Sequence, residues 1–202
     1  MKNIFLNIHG FGSSGSNSKA AALVKYYPDH EIISPDLPPD PQESLSIVEQ
    51  LVVKNLERPI IMQGSSMGGL YSLIMHMRHG VPALLINPAL TPGDLISARV
   101  GEPYEFSNGD RIIISEEHAR SFALVQDEVE QGIKDGRSEG SKILALIGEQ
   151  DELLDQETMK SILRRAGAGI ISYETDHRFS IFEDVLEKDS RVKAFLQQNL
   201  SS

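Results

Sequence analysis

The segment Gly64-Ser65-Ser66-Met67-Gly68 places a serine two residues from a glycine on either side. With glycine near 7% of residues, such a G-x-S-x-G match arises by chance in about one chain in fifteen of this length. Its setting is more telling than the pattern. An apolar, β-branched run (60–63) leads into it, and an amphipathic helical pattern follows at once. A sharp strand-to-helix turn there would hold the Ser66 hydroxyl upward in a strained backbone conformation, with the flanking glycines letting strand and helix approach. A serine so presented is suited to attack on an acyl carbonyl. Ser65 occupies the variable position and is expected to pack or to hydrogen-bond. A glycine-rich turn that cradles phosphate, or that merely packs tightly, is the alternative use of the same sequence.

A serine hydroxyl is a weak nucleophile until a base takes its proton. The chain has six histidines. His30 lies in an early loop, and His76 and His79 lie beyond the first turns of the helix after the serine. His177, in Thr175-Asp176-His177-Arg178-Phe179, follows the last predicted strand, on the sheet edge where the serine emerges. His177 is the expected base, with His118 as the alternative. The acid that orients it is expected between serine and histidine in chain order. Asp151, just past a strand ending in Ile147-Gly148, meets this requirement. Asp155 is the runner-up but suits a helix cap better. Glu149 and Glu152 are expected in solvent, and Asp176 adjoins His177 too closely for the two side chains to face well.

A tetrahedral intermediate needs two donors aimed at its oxygen. The backbone N–H of Met67, the residue after the serine, supplies one. The loop His9-Gly10-Phe11-Gly12 follows the neighbouring strand and offers the N–H of Phe11, with Gly10 allowing close approach. His9 is read as a histidine that holds this loop. Ser13, Ser14 and Ser16 are expected to be loop or capping residues, with contact to substrate as the alternative role for one of them.

These residues need a scaffold that brings distant loops together. Short apolar runs alternate with helical patterns, which predicts βα units around a parallel sheet. Strands are predicted at 3–8, 31–34, 60–63, 83–86, 142–147 and 169–173. Helices are predicted at 18–26, from the Asp40-Pro41 start with Leu45, Val48, Val52 and Leu56 inward, after Ser66 up to Gly80, at 155–166, and at 180–197. The alternation breaks over 91–141, which holds Gly-Glu-Pro and Asn-Gly-Asp turns, a β-like run at 112–114 and a helix at 116–132. This stretch reads as an insertion over one end of the sheet, either a lid or inert decoration. With the strand at 3–8 lying between those at 31–34 and 60–63, the loops carrying Phe11 and Ser66 flank the point where strand order reverses, where such sheets bind ligands. No linker divides the chain, so one domain is expected over 1–202.

The totals narrow the class. The chain of 202 residues is 40% hydrophobic, enough for one substantial core, and contains no cysteine, which excludes disulfides, thiolate catalysis and cysteine-ligated zinc. No run approaches a membrane span, and the first eight residues lack the form of a signal peptide. A cytoplasmic location is expected. A formal charge of −10 disfavours phosphate backbones, so no nucleic-acid partner is expected. The acidity itself reads as solubility.

On these residues the chain resembles the α/β-hydrolase superfamily, in the order Ser66, Asp151, His177 with a His-Gly loop. More narrowly it is similar to the small bacterial YqiA/YcfP-type esterase-like proteins. The likeness is carried by His9-Gly10-Phe11 with Ser13, Ser14 and Lys19; by Ser34-Pro35-Asp36-Leu37-Pro38; by Gly64-Ser65-Ser66-Met67-Gly68-Gly69; by Asn87-Pro88-Ala89; by Gly148 with Asp151; and by Asp176-His177. It is weakest over 93–140, where the substrate is expected to be chosen. The resemblance implies a compact three-layer hydrolase fold without the leading antiparallel hairpin of larger relatives. It also implies esterase or thioesterase activity on a small acyl substrate, with no cofactor and no metal. Amide or carbon–carbon bond hydrolysis on the same scaffold, and a catalytically idle binding protein, are the competing functions.

Overall fold

The computed structural model describes residues 2–107 and 109–200. Six strands form one parallel sheet: β1 (Ile4–Ile8), β2 (Glu31–Ile33), β3 (Ile60–Ser65), β4 (Ala83–Ile86), β7 (Ile143–Gly148) and β8 (Gly169–Tyr173), in the order β2-β1-β3-β4-β7-β8. The interleaved helices are α1 (Ser18–Tyr26), α2 (Pro41–Asn55), α3 (Met67–His79), α6 (Gln156–Arg165), α7 (Phe182–Lys188) and α8 (Ser190–Leu200). Between β4 and β7 stand α4 (Pro92–Ser97), the two-stranded antiparallel pair β5 (Pro103–Glu105) and β6 (Arg111–Ile113), and α5 (Glu116–Lys134).

Successive side chains of a strand point to opposite faces, so a strand covered on both faces reads as a continuous apolar run. In β1, Ile4, Leu6 and Ile8 pack with residues of α2, α3, α5 and α6. Phe5 turns the other way and joins α1, α7 and α8 through Leu23, Phe182, Val185, Val192 and Leu196. Two apolar layers thus sandwich the sheet. Every parallel strand points the same way, so the loops after β1, β3, β4, β7 and β8 share one edge. β1 lies between β2 and β3, and strand order reverses there.

Local signals account for most element ends. Asp40 accepts from the Glu43 N–H with Pro41 in the first turn of α2, and Asn17 caps α1 through the Lys19 and Ala20 amides. Gly80 closes α3 in the left-handed region, at φ 69°.

Three features differ from the sequence expectation. The last helix is two: Asp189 is extended at φ −82°, ψ 110° and ends α7. Its carboxylate accepts from the Arg191 N–H and from the Tyr173 hydroxyl, which favours a fresh helix start over continuation. The helix α4 and the strand β5 were not foreseen within the insertion, and β5 exists only through pairing with β6, Tyr104 opposite Ile112. The expected Asn-Gly-Asp turn includes Asn108, which lies outside the described residues. Among the described residues no helix is long and apolar enough to cross a membrane.

Candidate active site

Strand β3 ends at Ser65 and α3 begins at Met67, so Ser66 is the whole turn. Its backbone sits at φ 53°, ψ −118°, a conformation L-residues rarely adopt. Neighbouring backbone enforces it: the Ser66 N–H donates to the Ile86 carbonyl at 2.9 Å, and the Ser66 carbonyl accepts from Gly69 and Ala89, each at 2.9 Å. The glycine spacing has a direct steric cause. A Cβ on Gly68 would lie 2.1 Å from the Ile8 carbonyl oxygen, and one on Gly64 would lie 2.2 Å from the Gly68 carbonyl oxygen.

The loops after β7 and β8 run side by side. Glu149 N–H donates to the Tyr173 carbonyl at 2.8 Å, and Gln150 N–H to the Thr175 carbonyl at 3.0 Å. This brings Asp151 to His177. His177 Nδ1 and Asp151 Oδ2 are 2.8 Å apart, and His177 Nε2 and Ser66 Oγ are 3.1 Å apart. Opposite the carboxylate, Nδ1 carries the proton and donates; Nε2 is then bare and accepts from the Ser66 hydroxyl. The Asp151 side chain is completely buried, whereas the imidazole keeps 14% of its exposure. The other Asp151 oxygen, Oδ1, accepts from the Leu153 and Leu154 amides at 2.9 and 3.1 Å. Burial pushes the Asp151 carboxyl up, but the hydrogen bonds from His177 and from these amides outweigh it and hold the group below its ordinary value.

Met67, first residue of α3, has no intrahelical acceptor for its N–H. The Phe11 loop passes directly over the serine, where a Cβ on Gly10 would come within 3.1 Å of Ser66 Cβ. The Phe11 ring stacks with Tyr104, Phe106 and Phe122 at centroid separations of 4.8, 5.3 and 5.6 Å. The Ser107 N–H donates to the Gly12 carbonyl at 2.9 Å, so the β5–β6 hairpin docks onto this loop. Together these elements enclose a cavity of about 600 Å³ that reaches Ser66, His177, Met67 and Phe11, with Leu95, Ile96 and Ile114 on its apolar wall.

The other candidates have structural partners. His9 donates from Nδ1 to the Gly10 carbonyl at 2.8 Å and accepts at Nε2 from the Leu37 N–H at 3.0 Å. Buried His76 bridges the Val81 carbonyl and the Glu139 N–H in the same manner, and burial lowers its pKa. His118 accepts from the Ser115 N–H in the capping box of α5, and His79 faces Glu49. Asp155 caps α6 through the Glu157 and Thr158 amides. Ser65 accepts from the Gln63 amide at 3.1 Å.

Asn87, within Asn-Pro-Ala, is a site residue to which the sequence assigns no task. It is fully buried at φ 40°, a left-handed conformation asparagine tolerates. Its side chain donates to the Asp176 and His177 carbonyls at 3.2 and 3.1 Å and accepts from the Gly148 N–H at 2.7 Å. One side chain thus ties the histidine loop to the strand that leads to Asp151. A polar residue ending an apolar strand was the available signal. Asn87→Ala would leave three backbone groups without their partner, the Gly148 N–H fully buried and the Asp176 and His177 carbonyls partly so, and it should destabilise the protein by about 2–3 kcal/mol in urea unfolding. It should also lower kcat more than it raises KM, as the His177 loop loosens.

The sequence profile described as "Uncharacterised protein family (UPF0227)" matches residues 4–197. A UPF0227 protein of Shewanella woodyi (strain ATCC 51908 / MS32) is 26% identical over 198 residues, covering 95% of this chain and 98% of its own. Two solved structures are similar in fold. That of LipS and LipT, two metagenome-derived lipolytic enzymes, has a TM-score of 0.71 at 15% identity, over 98% of this chain and 94% of its own. The monoacylglycerol lipase of Paleococcus ferrophilus has a TM-score of 0.65 at 17% identity, over 98% and 94%. The six-stranded parallel sheet, its helices on both faces and the insertion after β4 are an α/β-hydrolase fold, and the chain belongs to the UPF0227 family.

Proposed function

We propose that this protein is a serine hydrolase that cleaves carboxylic esters or thioesters through an acyl-enzyme on Ser66. The observation that carries the reading is the continuous relay from Asp151 through His177 to Ser66, at 2.8 and 3.1 Å, opening on a cavity of about 600 Å³. His177 removes the Ser66 proton as Oγ attacks the acyl carbonyl. The negative oxygen that develops is met by the Met67 amide, at the N-terminal end of α3, and by the Phe11 amide of the loop after β1. His177 then returns the proton to the departing alcohol or thiol, and the acyl group stays on Ser66. Water repeats the sequence and releases the acid. Asp151 keeps the imidazole proton on Nδ1 and stabilises the imidazolium. The insertion 91–141 supplies the apolar wall that selects the acyl group. The lipolytic enzymes of like fold are consistent with this chemistry.

The reading is tested with p-nitrophenyl esters of increasing acyl length. Turnover by the wild type is expected, falling once the chain exceeds the apolar wall. A folded protein inert to the whole series would count against it.

A further inference from the structure

The chain carries a formal charge of −10. The cavity around Ser66 has the opposite character. Among the described residues its only formally charged lining side chains are Lys19, Arg99 and Arg178, and no described Asp or Glu lines it. Among the described residues none of these three has a carboxylate within 4.0 Å. Cations left unpaired beside a cavity, in an acidic protein, focus a positive potential on whatever enters.

Two of the three cluster around the base. Lys19 Nζ donates to the Arg178 carbonyl, and Arg178 directly follows His177. Burial lowers the Lys19 pKa; Asp176, which does not line the cavity, works against that shift, and Arg178 adds to it. An ammonium has three donors, so Lys19 keeps capacity for an anion. The first turn of α1, which bears Lys19, contains no acid, and Ser18 in that turn also lines the cavity. Its dipole adds to the same potential. Arg99 stands apart, on the insertion, near enough to Tyr104 to act on its hydroxyl.

We propose that Lys19 and Arg178 form a subsite for an anionic group, carboxylate or phosphate, on the leaving-group side of the substrate. The side follows from the chemistry. His177 Nε2 must hand its proton to the departing oxygen or sulfur, so the leaving group lies toward His177 and hence toward Arg178 and Lys19. The inference rests on the acyl-transfer reading and specifies its substrate: an apolar acyl group on an alcohol or thiol that carries negative charge.

The test compares 4-butanoyloxybenzoate with its methyl ester, and 4-butanoyloxyphenyl phosphate with the phenyl ester lacking phosphate. The ratio of kcat/KM within each pair is read, so that any shift of His177 caused by a variant cancels. The wild type should favour an anionic ester by about tenfold or more. The ratio should fall about tenfold in K19M/R178Q, invert in Arg178→Glu, and shrink with added NaCl. The pair with the larger ratio tells carboxylate from phosphate.

A wild type that prefers the neutral esters, or ratios unmoved in K19M/R178Q, would overturn the subsite while leaving ester hydrolysis intact. Loss of the preference in Arg99→Gln but not in Arg178→Gln would overturn its placement. If no ester is turned over, the acyl-transfer reading fails on its own. Calorimetry with 4-hydroxybenzoate and phenyl phosphate then decides the subsite. Binding at least fivefold weaker in K19M/R178Q supports it, and no binding by the wild type rejects it.

Discussion

Ser66→Ala is expected to lower kcat/KM for a p-nitrophenyl ester by about ten-thousand-fold or more, with a urea midpoint close to that of the wild type. The expected loss is large because the proposed acyl-enzyme forms on the Ser66 hydroxyl oxygen; what would survive is stabilisation of the oxyanion and binding. Stability changes little because the strained turn is held by backbone hydrogen bonds to Ile86, Gly69 and Ala89, which alanine retains. Its side chain also fits the same space. Parallel measurement of kcat/KM and of unfolding in both proteins checks this. Equal activity in the variant would move the chemistry away from Ser66.

The second large effect is expected from Asp151→Asn, a loss of about a thousand- to ten-thousand-fold, chiefly in kcat. The geometry gives a specific reason. Both carboxylate oxygens are acceptors here: Oδ1 from the Leu153 and Leu154 amides, Oδ2 from His177 Nδ1. An asparagine has one oxygen and one NH2. With the oxygen kept on the two amides, the NH2 faces Nδ1 and drives the imidazole proton onto Nε2. That tautomer cannot take the proton of Ser66. Steady-state kinetics on the ester used for Ser66→Ala reads the effect.

Asp151 also has a signature in pH. Its folded pKa is depressed, so its ionised form stabilises the fold fully above the ordinary unfolded value of about 3.9. That contribution disappears as pH falls through the lower folded value. The variant lacks the titrating group, so this part of its acid destabilisation below about pH 4 should be absent. Urea unfolding of both proteins between pH 7 and pH 3 measures it.

The three side chains that meet in the structure are those singled out by motif, chain order and elimination. The elbow is legible because its sterics are local. Gly64 and Gly68 stand where the Gly68 and Ile8 carbonyls leave no room for a Cβ. Asp151 and Asp155 were separable by the same kind of argument, since an acid two residues before a helical Glu-Thr pair is a cap, and Asp155 is one. His177 stands out partly because the other histidines suit structural tasks, as His9 and His76 do at loop carbonyls and amides.

What escaped the sequence reading depends on contacts far apart in the chain. Asn87 acts on Asp176 and His177 from 89 and 90 residues away, and nothing nearby in sequence records that. Strand β5 is three residues with a proline, too short for a periodic signal, and takes its form from β6. The aromatic cluster of Phe11, Tyr104, Phe106 and Phe122 joins the first loop to the insertion by packing, beside the hydrogen bond from Ser107 to Gly12. The break at Asp189 was hidden because apolar spacing continues across it. The bond from Tyr173, at the end of the preceding strand, and the local cap reveal it.

The central claim is that Ser66 is an activated nucleophile. Its most direct test is reaction of the folded protein with a fluorophosphonate, followed by intact mass and peptide mapping. One adduct per chain on Ser66, absent in Ser66→Ala and slow to form in Asp151→Asn, is the predicted result. A folded wild type that takes no label, or takes it on Ser65 or elsewhere, would contradict the account.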